Sequence, residues 1–284
     1  MMLLVVLVLA ATIASSQEHQ RGVDLYKQQK YAEAIRALED SLKSEDPKSL
    51  DYRESALLIG QSYFMLSQAP KAIPWLEKVN SVNEANYMLG YAYLQTRQTE
   101  ESEAAFARLF NLKPDSAQAH LLAGQMMLKR GYQPQALEQI EKSLSMDSKL
   151  PEAHFLRAEI RISRGQVDEA IADLQQELAI NPNFSMAWYR LGDAYQRKEA
   201  WDTAVAHLQR AVWLNPDYSG PYILLGKCYL RTGKLTDGER ILRAAITLDP
   251  NNREATYLLG QTLMAQGKKD EAQTLLDKLR SQRQ

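Results

Sequence analysis

The sequence predicts an all-α fold, a solenoid of antiparallel helix pairs, and three observations predict it. A small residue recurs at Gly22, Gly60, Gly90, Gly124, Ala158, Gly192, Gly226 and Gly260, with spacings of 38, 30, 34, 34, 34, 34 and 34. A second small residue follows each of these twelve positions later, at Ala34, Ala72, Ser102, Ala136, Ala170, Ala204, Gly238 and Ala272. Gly and Pro interrupt every apolar pattern before several heptads accumulate, which excludes one long coiled coil. A fixed period of this size belongs to stacked units that bury a shared core between neighbours.

Taken in order, the first stretch is a separate object. Residues 1–16, MMLLVVLVLAATIASS, are apolar from Met1 to Ala11, with Ala14 and Ser16 at the small-residue positions of an export cleavage site. The run is short for a spanning helix, so it reads as a signal peptide with the mature chain starting at Gln17. No Lys or Arg precedes the run. An uncleaved membrane anchor and a start upstream of Met1 therefore stay open. Residues 17–284 form the array, and the expected location is exported, periplasmic or secreted.

The first repeat, RGVDLYKQQKYAEAIRALEDSL, is followed by extra residues around Lys43 to Ser49, which predict a longer connection. The second is short, with its second helix confined to 70–79, and Pro74 should weaken that helix by removing a backbone donor. Spacings of 38 and 30 sum to two normal periods, since 38 + 30 = 68 = 2 × 34. The later repeats are regular. Gly131, Gly165, Gly233 and Gly267 stand seven residues after the small position, where a left-handed residue would end the first helix. Pro114, Pro182, Pro216 and Pro250 close repeats, and the polar residue after each is the expected N-cap of the next helix. The eighth repeat ends in LDKLRSQRQ, whose polar residues suit an exposed terminal face.

The stretch from Ser185 to Pro216 is the best-kept copy. Trp188, Leu191, Gly192 and Tyr195 stand in the spacing W-x2-L-G-x2-Y, followed by Ala204, Leu208, Ala211 and Pro216. This order resembles the tetratricopeptide repeat (TPR), a helix-turn-helix unit, and the resemblance covers essentially everything after the leader. It implies a right-handed superhelical solenoid whose inner face is built from first-helix residues. It also implies a binding scaffold rather than an enzyme.

Composition agrees with a globular array, at 45% apolar and 24% charged residues. Lys plus Arg is 34 and Asp plus Glu 35, so nothing draws the chain generally toward nucleic acid or an anionic membrane. Any membrane contact would come through an uncleaved N-terminal segment. The one cysteine, Cys228, excludes an internal disulfide and a multi-cysteine zinc site, and reads as packing. No phosphate-binding glycine loop, zinc-protease or serine-hydrolase motif is present, and no cofactor is implied. His120 and His154 lie 34 apart at the position of Trp188. They form either a metal or proton-linked pair or, more simply, fill an inter-helix slot. Asn183-Phe184-Ser185 matches the N-glycosylation pattern.

With Gly192 counted as the eighth residue of its repeat, the resemblance assigns the inner face to two rows, four residues apart and so on one helix face. The fifth positions are His19, Leu57, Tyr87, Leu121, Phe155, Tyr189, Ile223 and Tyr257. The ninth are Val23, Gln61, Tyr91, Gln125, Glu159, Asp193, Lys227 and Gln261, with Arg197 and Arg231 further along the same face. The candidate groove is Tyr87, Tyr91, Leu121, Gln125, Phe155, Glu159, Tyr189, Asp193, Arg197, Lys227, Arg231, Tyr257 and Gln261. Part of the fifth row borders the next repeat and can be core. The carboxylate clamp known in the family needs Lys at fifth and Asn at ninth positions, which this chain lacks. A protein or peptide is the expected partner, with Tyr91 and Tyr189 as anchors. A glycan stacked on the tyrosines, in polysaccharide assembly or export, is the alternative.

Overall fold

The computed structural model describes residues 2–281, with side chains over 15–280, and is built from helices alone among those residues. It forms two compact units. The first, Met1–Asp147, holds α1 (Met2–Lys27), α2 (Tyr31–Ser41), α3 (Leu50–Met65), α4 (Ala69–Glu77), α5 (Asn83–Gln95), α6 (Thr99–Leu109), α7 (Ala117–Lys129) and α8 (Gln133–Met146). The second, Ser148–Gln284, holds α9 (Ala153–Ser163), α10 (Val167–Ile180), α11 (Ser185–Arg197), α12 (Trp201–Leu214), α13 (Ser219–Arg231), α14 (Leu235–Leu248), α15 (Arg253–Ala265) and α16 (Lys269–Ser281). Within each unit every helix packs on its chain neighbours, and α11, α13 and α15 also lie side by side.

The small position works by admitting a large residue sixteen positions on. Leu38, Leu76, Phe106, Ile140, Leu208, Leu242 and Leu276 lie where a side chain on Gly22, Gly60, Gly90, Gly124, Gly192, Gly226 and Gly260 would be. Leu174 packs in one cluster with Ala158. Where the second small position is Ser102 rather than alanine, its hydroxyl donates to Gly90 O at 2.8 Å, which satisfies a polar group buried in the pair.

Each first helix ends as expected at Gly131, Gly165, Gly233 and Gly267, which have positive φ. Gln29, Ser67, Arg97 and Glu199 occupy the same register with φ of 58 to 63° and no glycine. The amide after each such residue reaches back to the first helix, as Tyr132 N does to Met127 O (3.0 Å) and Ala200 N to Tyr195 O (3.0 Å). That bond closes the helix with either residue type.

The departures also have their place. Residues 42–49 join α2 to α3, and Ser49 caps α3 by accepting from Tyr52 N. In α4, Pro70 lies in the first turn, where it costs no bond, but Pro74 is interior, and the helix runs only nine residues. The caps after the repeat-closing prolines correct the sequence expectation by one residue. Ser116 and Asn252 accept from the third amide of α7 and α15, while Asp115 is left-handed instead. Phe184 and Tyr218 precede their helices with no side-chain cap. Of the predicted leader, Met1 and the side chains of 2–14 lie outside the described residues, as do 282–284. Among the described residues no helix is long and apolar enough to cross a membrane.

Candidate functional site

In the first unit, the face predicted to bind is largely consumed by packing. Tyr91 is 4% exposed, its ring edge-on to Tyr87 (5.0 Å) and Phe106 (5.2 Å), and its hydroxyl donates to Met126 O at 3.3 Å. Burial, with the neighbouring Tyr87, holds its phenol above the usual range. Leu121 is buried too. These two residues are therefore corrected from groove to core, because side chains so nearly covered offer a partner little surface. Tyr87 stays half-buried and accepts from Arg130 Nη2 at 3.1 Å. The Arg130 guanidinium, which sequence reasoning missed, also covers the Tyr91 ring at 4.8 Å. Gln125 is half-buried on α7.

In the second unit, α9 and α11 carry a network of paired charges. Arg190 pairs with Glu159 at 2.8 Å and lies 5.3 Å from the Tyr189 ring. Burial raises the Glu159 carboxyl above the usual carboxylate range, against the pull of Arg190. Arg197 donates to Asp193 at 3.2 Å across one helical turn. Tyr189 is edge-on to Tyr218 at 5.4 Å, and burial with that neighbour pushes its phenol up to about 12. Phe155 packs on Phe184 with centroids 4.9 Å apart. Arg190 and Tyr218 were not in the predicted set.

The open part of this face is between α13 and α15. Lys227, Leu230, Arg231, Glu254, Tyr257, Leu258 and Gln261 line a cleft of about 630 Å³, within the range of ligand-holding clefts. Four of these, Lys227, Arg231, Tyr257 and Gln261, are predicted groove residues that the fold brings together. Tyr257 is 49% exposed, and its hydroxyl accepts from Gln261 Nε2 at 3.0 Å. Glu254, one helical turn before Leu258, adds a carboxylate that the row counting did not reach. Ile223, the fifth-position residue of α13, is buried in the core.

The histidines fill the inter-helix slot, and the structure shows why Trp, Tyr and His share it. Trp188 Nε1 donates to Pro182 O (2.8 Å) and Tyr222 Oη to Pro216 O (3.0 Å). His154 Nε2 sits 3.0 Å from Ser148 O, again six residues back, and His120 Nε2 instead meets Asp115 Oδ1 at 3.0 Å. The slot needs a ring that packs and a polar edge that ties the helix to the preceding turn. Opposite the ring, the second helix supplies Gln139 to His120 (2.6 Å), Asp173 to His154 (3.5 Å) and a stacked His207 to Trp188 (5.5 Å). Among the described residues no three His, Cys, Asp or Glu side chains are placed to hold a metal. Cys228 is fully buried, and burial raises its thiol. Asn183 is exposed in the turn before α11.

Comparisons with known proteins agree with this geometry. Models of the tetratricopeptide repeat match residues 19–80 and 87–151, 187–222 and 233–284, and one described as a TPR repeat matches 158–199. A search of curated proteins found no match. Among solved structures, the chain is similar to YrrB, described as a TPR protein with an unusual peptide-binding site. That likeness has 22% identity and a TM-score of 0.55, and covers 62% of this chain and 91% of YrrB. It is also similar to MamA from Desulfovibrio magneticus RS-1 (23%, TM-score 0.55, covering 59% and 94%). A third is PilF of Pseudomonas aeruginosa (17%, TM-score 0.57, covering 70% and 90%). At these identities the likeness is one of fold.

Proposed function

The chain belongs to the tetratricopeptide-repeat family, and from that premise we propose that it is an exported, non-enzymatic scaffold holding a protein or peptide on its first-helix face. The observation that carries the reading is the α13–α15 cleft, where Lys227, Arg231, Tyr257 and Gln261 meet around open space. Elsewhere on the predicted face Tyr91 and Leu121 are buried and Glu159, Tyr189 and Asp193 are engaged by neighbouring side chains. The peptide-binding site ascribed to YrrB supports a peptide as partner. The glycan alternative draws less support, because stacking on sugars needs successive free ring faces. Tyr91 is buried and Tyr189 lies against Tyr218 and Arg190, which leaves Tyr257 as the one strongly exposed tyrosine of the predicted set. Export is supported by the apolar run from Met1 to Ala11 with Ala14 and Ser16 behind it.

Burial also changes the choice of test residue. Alanine at Tyr91 would remove a packed ring and destabilise the fold, so it cannot report on binding. A photo-reactive phenylalanine analogue at Tyr257, irradiated in cells, should cross-link a protein partner. The same analogue at Trp213, 69% exposed on a second helix, should not. Equal adducts at both positions would refute the first-helix face as the binding surface.

A further inference from the structure

We propose that the α13–α15 cleft selects an acidic side chain of an extended peptide, seated on Lys227 and Arg231 beside the Tyr257 ring. This rests on the scaffold reading above and specifies the chemistry of its partner. The inference comes from two cations lining one cleft that lack a carboxylate; among the described residues Arg164, Arg210, Arg253 and Lys269 of the second unit lack one too, but none of these lines the cleft. Arg190 is held by Glu159, Arg197 by Asp193, Lys198 by Asp168, Lys234 by Asp202, and Arg243 and Lys268 by Glu239. Among the described residues neither Lys227 nor Arg231 has a carboxylate within 4.0 Å, although Glu254 lines the same cleft.

The two stand four residues apart on one helix, an arrangement that places like charges on the same face and is mildly unfavourable by itself. Lys227 is half-buried, so part of its hydration is already lost and an incoming carboxylate meets a weaker screen than at an exposed lysine. Arg231, exposed at the mouth, offers the planar fork that fits a carboxylate through two hydrogen bonds. Leu230, Leu258 and Tyr257 supply an apolar wall for the neighbouring peptide atoms. A peptide fits this mixture better than a polysaccharide, since the cleft offers one exposed ring rather than a stacking track.

The test pans a random linear peptide library against the full chain and against Lys227→Glu/Arg231→Glu, with circular dichroism confirming equal helicity. The expected result is selected peptides with Asp or Glu at one fixed position. Their affinity for the reversed variant should fall about tenfold or more, and that variant should select Lys or Arg instead. Peptides without an acidic residue, lost on Tyr257→Ala but bound equally by the reversed variant, would overturn the inference and leave the scaffold reading standing. Binding of polygalacturonate in place of any peptide would also overturn it. Selection of nothing by the folded chain would remove both readings.

Discussion

At the residue scale, this chain uses glycine for two different ends within one helix pair, and the difference is measurable. A Cβ built on Gly226 lies 2.4 Å from both Cγ and Cδ2 of Leu242, a fully buried side chain with nowhere to retreat. A Cβ on Gly238 meets Tyr229 Cβ at 3.4 Å and Thr262 Cγ2 at 3.5 Å, ordinary contact distances. Both glycines are helical, so alanine brings a helix-propensity gain of about 1 kcal/mol at each. At Gly226 the overpacking, on the order of 1–3 kcal/mol, outweighs it. Gly226→Ala should therefore destabilise by up to about 2 kcal/mol, and Gly238→Ala should stabilise by about 1 kcal/mol. Urea midpoints of the two variants read this directly, and shifts of the same sign would disprove the packing account. The sequence itself hints at the outcome, since other repeats carry alanine or serine at the Gly238 position.

At the scale of the helix pair, α9–α10 is held by a buried carboxylate. The Asp173 side chain is 3% exposed and lies 2.6 Å from Arg157, 2.8 Å from Arg161 and 3.5 Å from His154. Burial alone would raise its carboxyl, but the hydrogen bonds from His154 and Arg157 and the charges of Arg157 and Arg161 outweigh this and hold it below the usual value. A carboxyl depressed in the folded state adds stability above its unfolded value of about 4, and that share is lost as pH falls through the lower folded value. Asp173→Asn should cost about 3 kcal/mol at neutral pH, since two partly buried guanidinium groups lose their counter-charge. The gap to the parent should narrow below about pH 4. A thermal-unfolding gap that is the same at pH 7 and pH 3 would exclude this role. The element scale also marks the limit of what was legible. Repeat period, small positions and first-helix ends were readable because each is a local rule about one residue type. The left-handed Glu199 and Arg97 were not, because the backbone bonds that close the helix impose that conformation without naming a residue. The same holds for the groove. Counting placed Lys227, Arg231, Tyr257 and Gln261 on one cleft, but could not see that Tyr91 turns its hydroxyl inward to Met126.

At the scale of the whole molecule, the governing fact is locality: each repeat in a stack is stabilised by itself and its neighbours. That bears on the proposed removal of 1–16, because the cut would fall inside α1. Several contacts that build the first repeat pair lie beyond it. Gly22 receives Leu38, Val23 is buried, and His19 Nδ1 lies 2.8 Å from Ser55 Oγ. Among the described residues, cleavage after Ser16 would remove the hydrogen bonds of Ser15 Oγ to Ser41 O at 2.8 Å and to Glu45 Oε1 at 3.4 Å, each on the order of 1 kcal/mol. Residues 17–27 would remain as the first helix, and the loss would not spread to later pairs. Protein isolated from its native cells should give an N-terminal sequence beginning at Gln17, with an unfolding midpoint within a few degrees of the uncleaved chain. Recovery of Met1 on the mature protein would exclude cleavage and turn the proposal toward an N-terminal anchor.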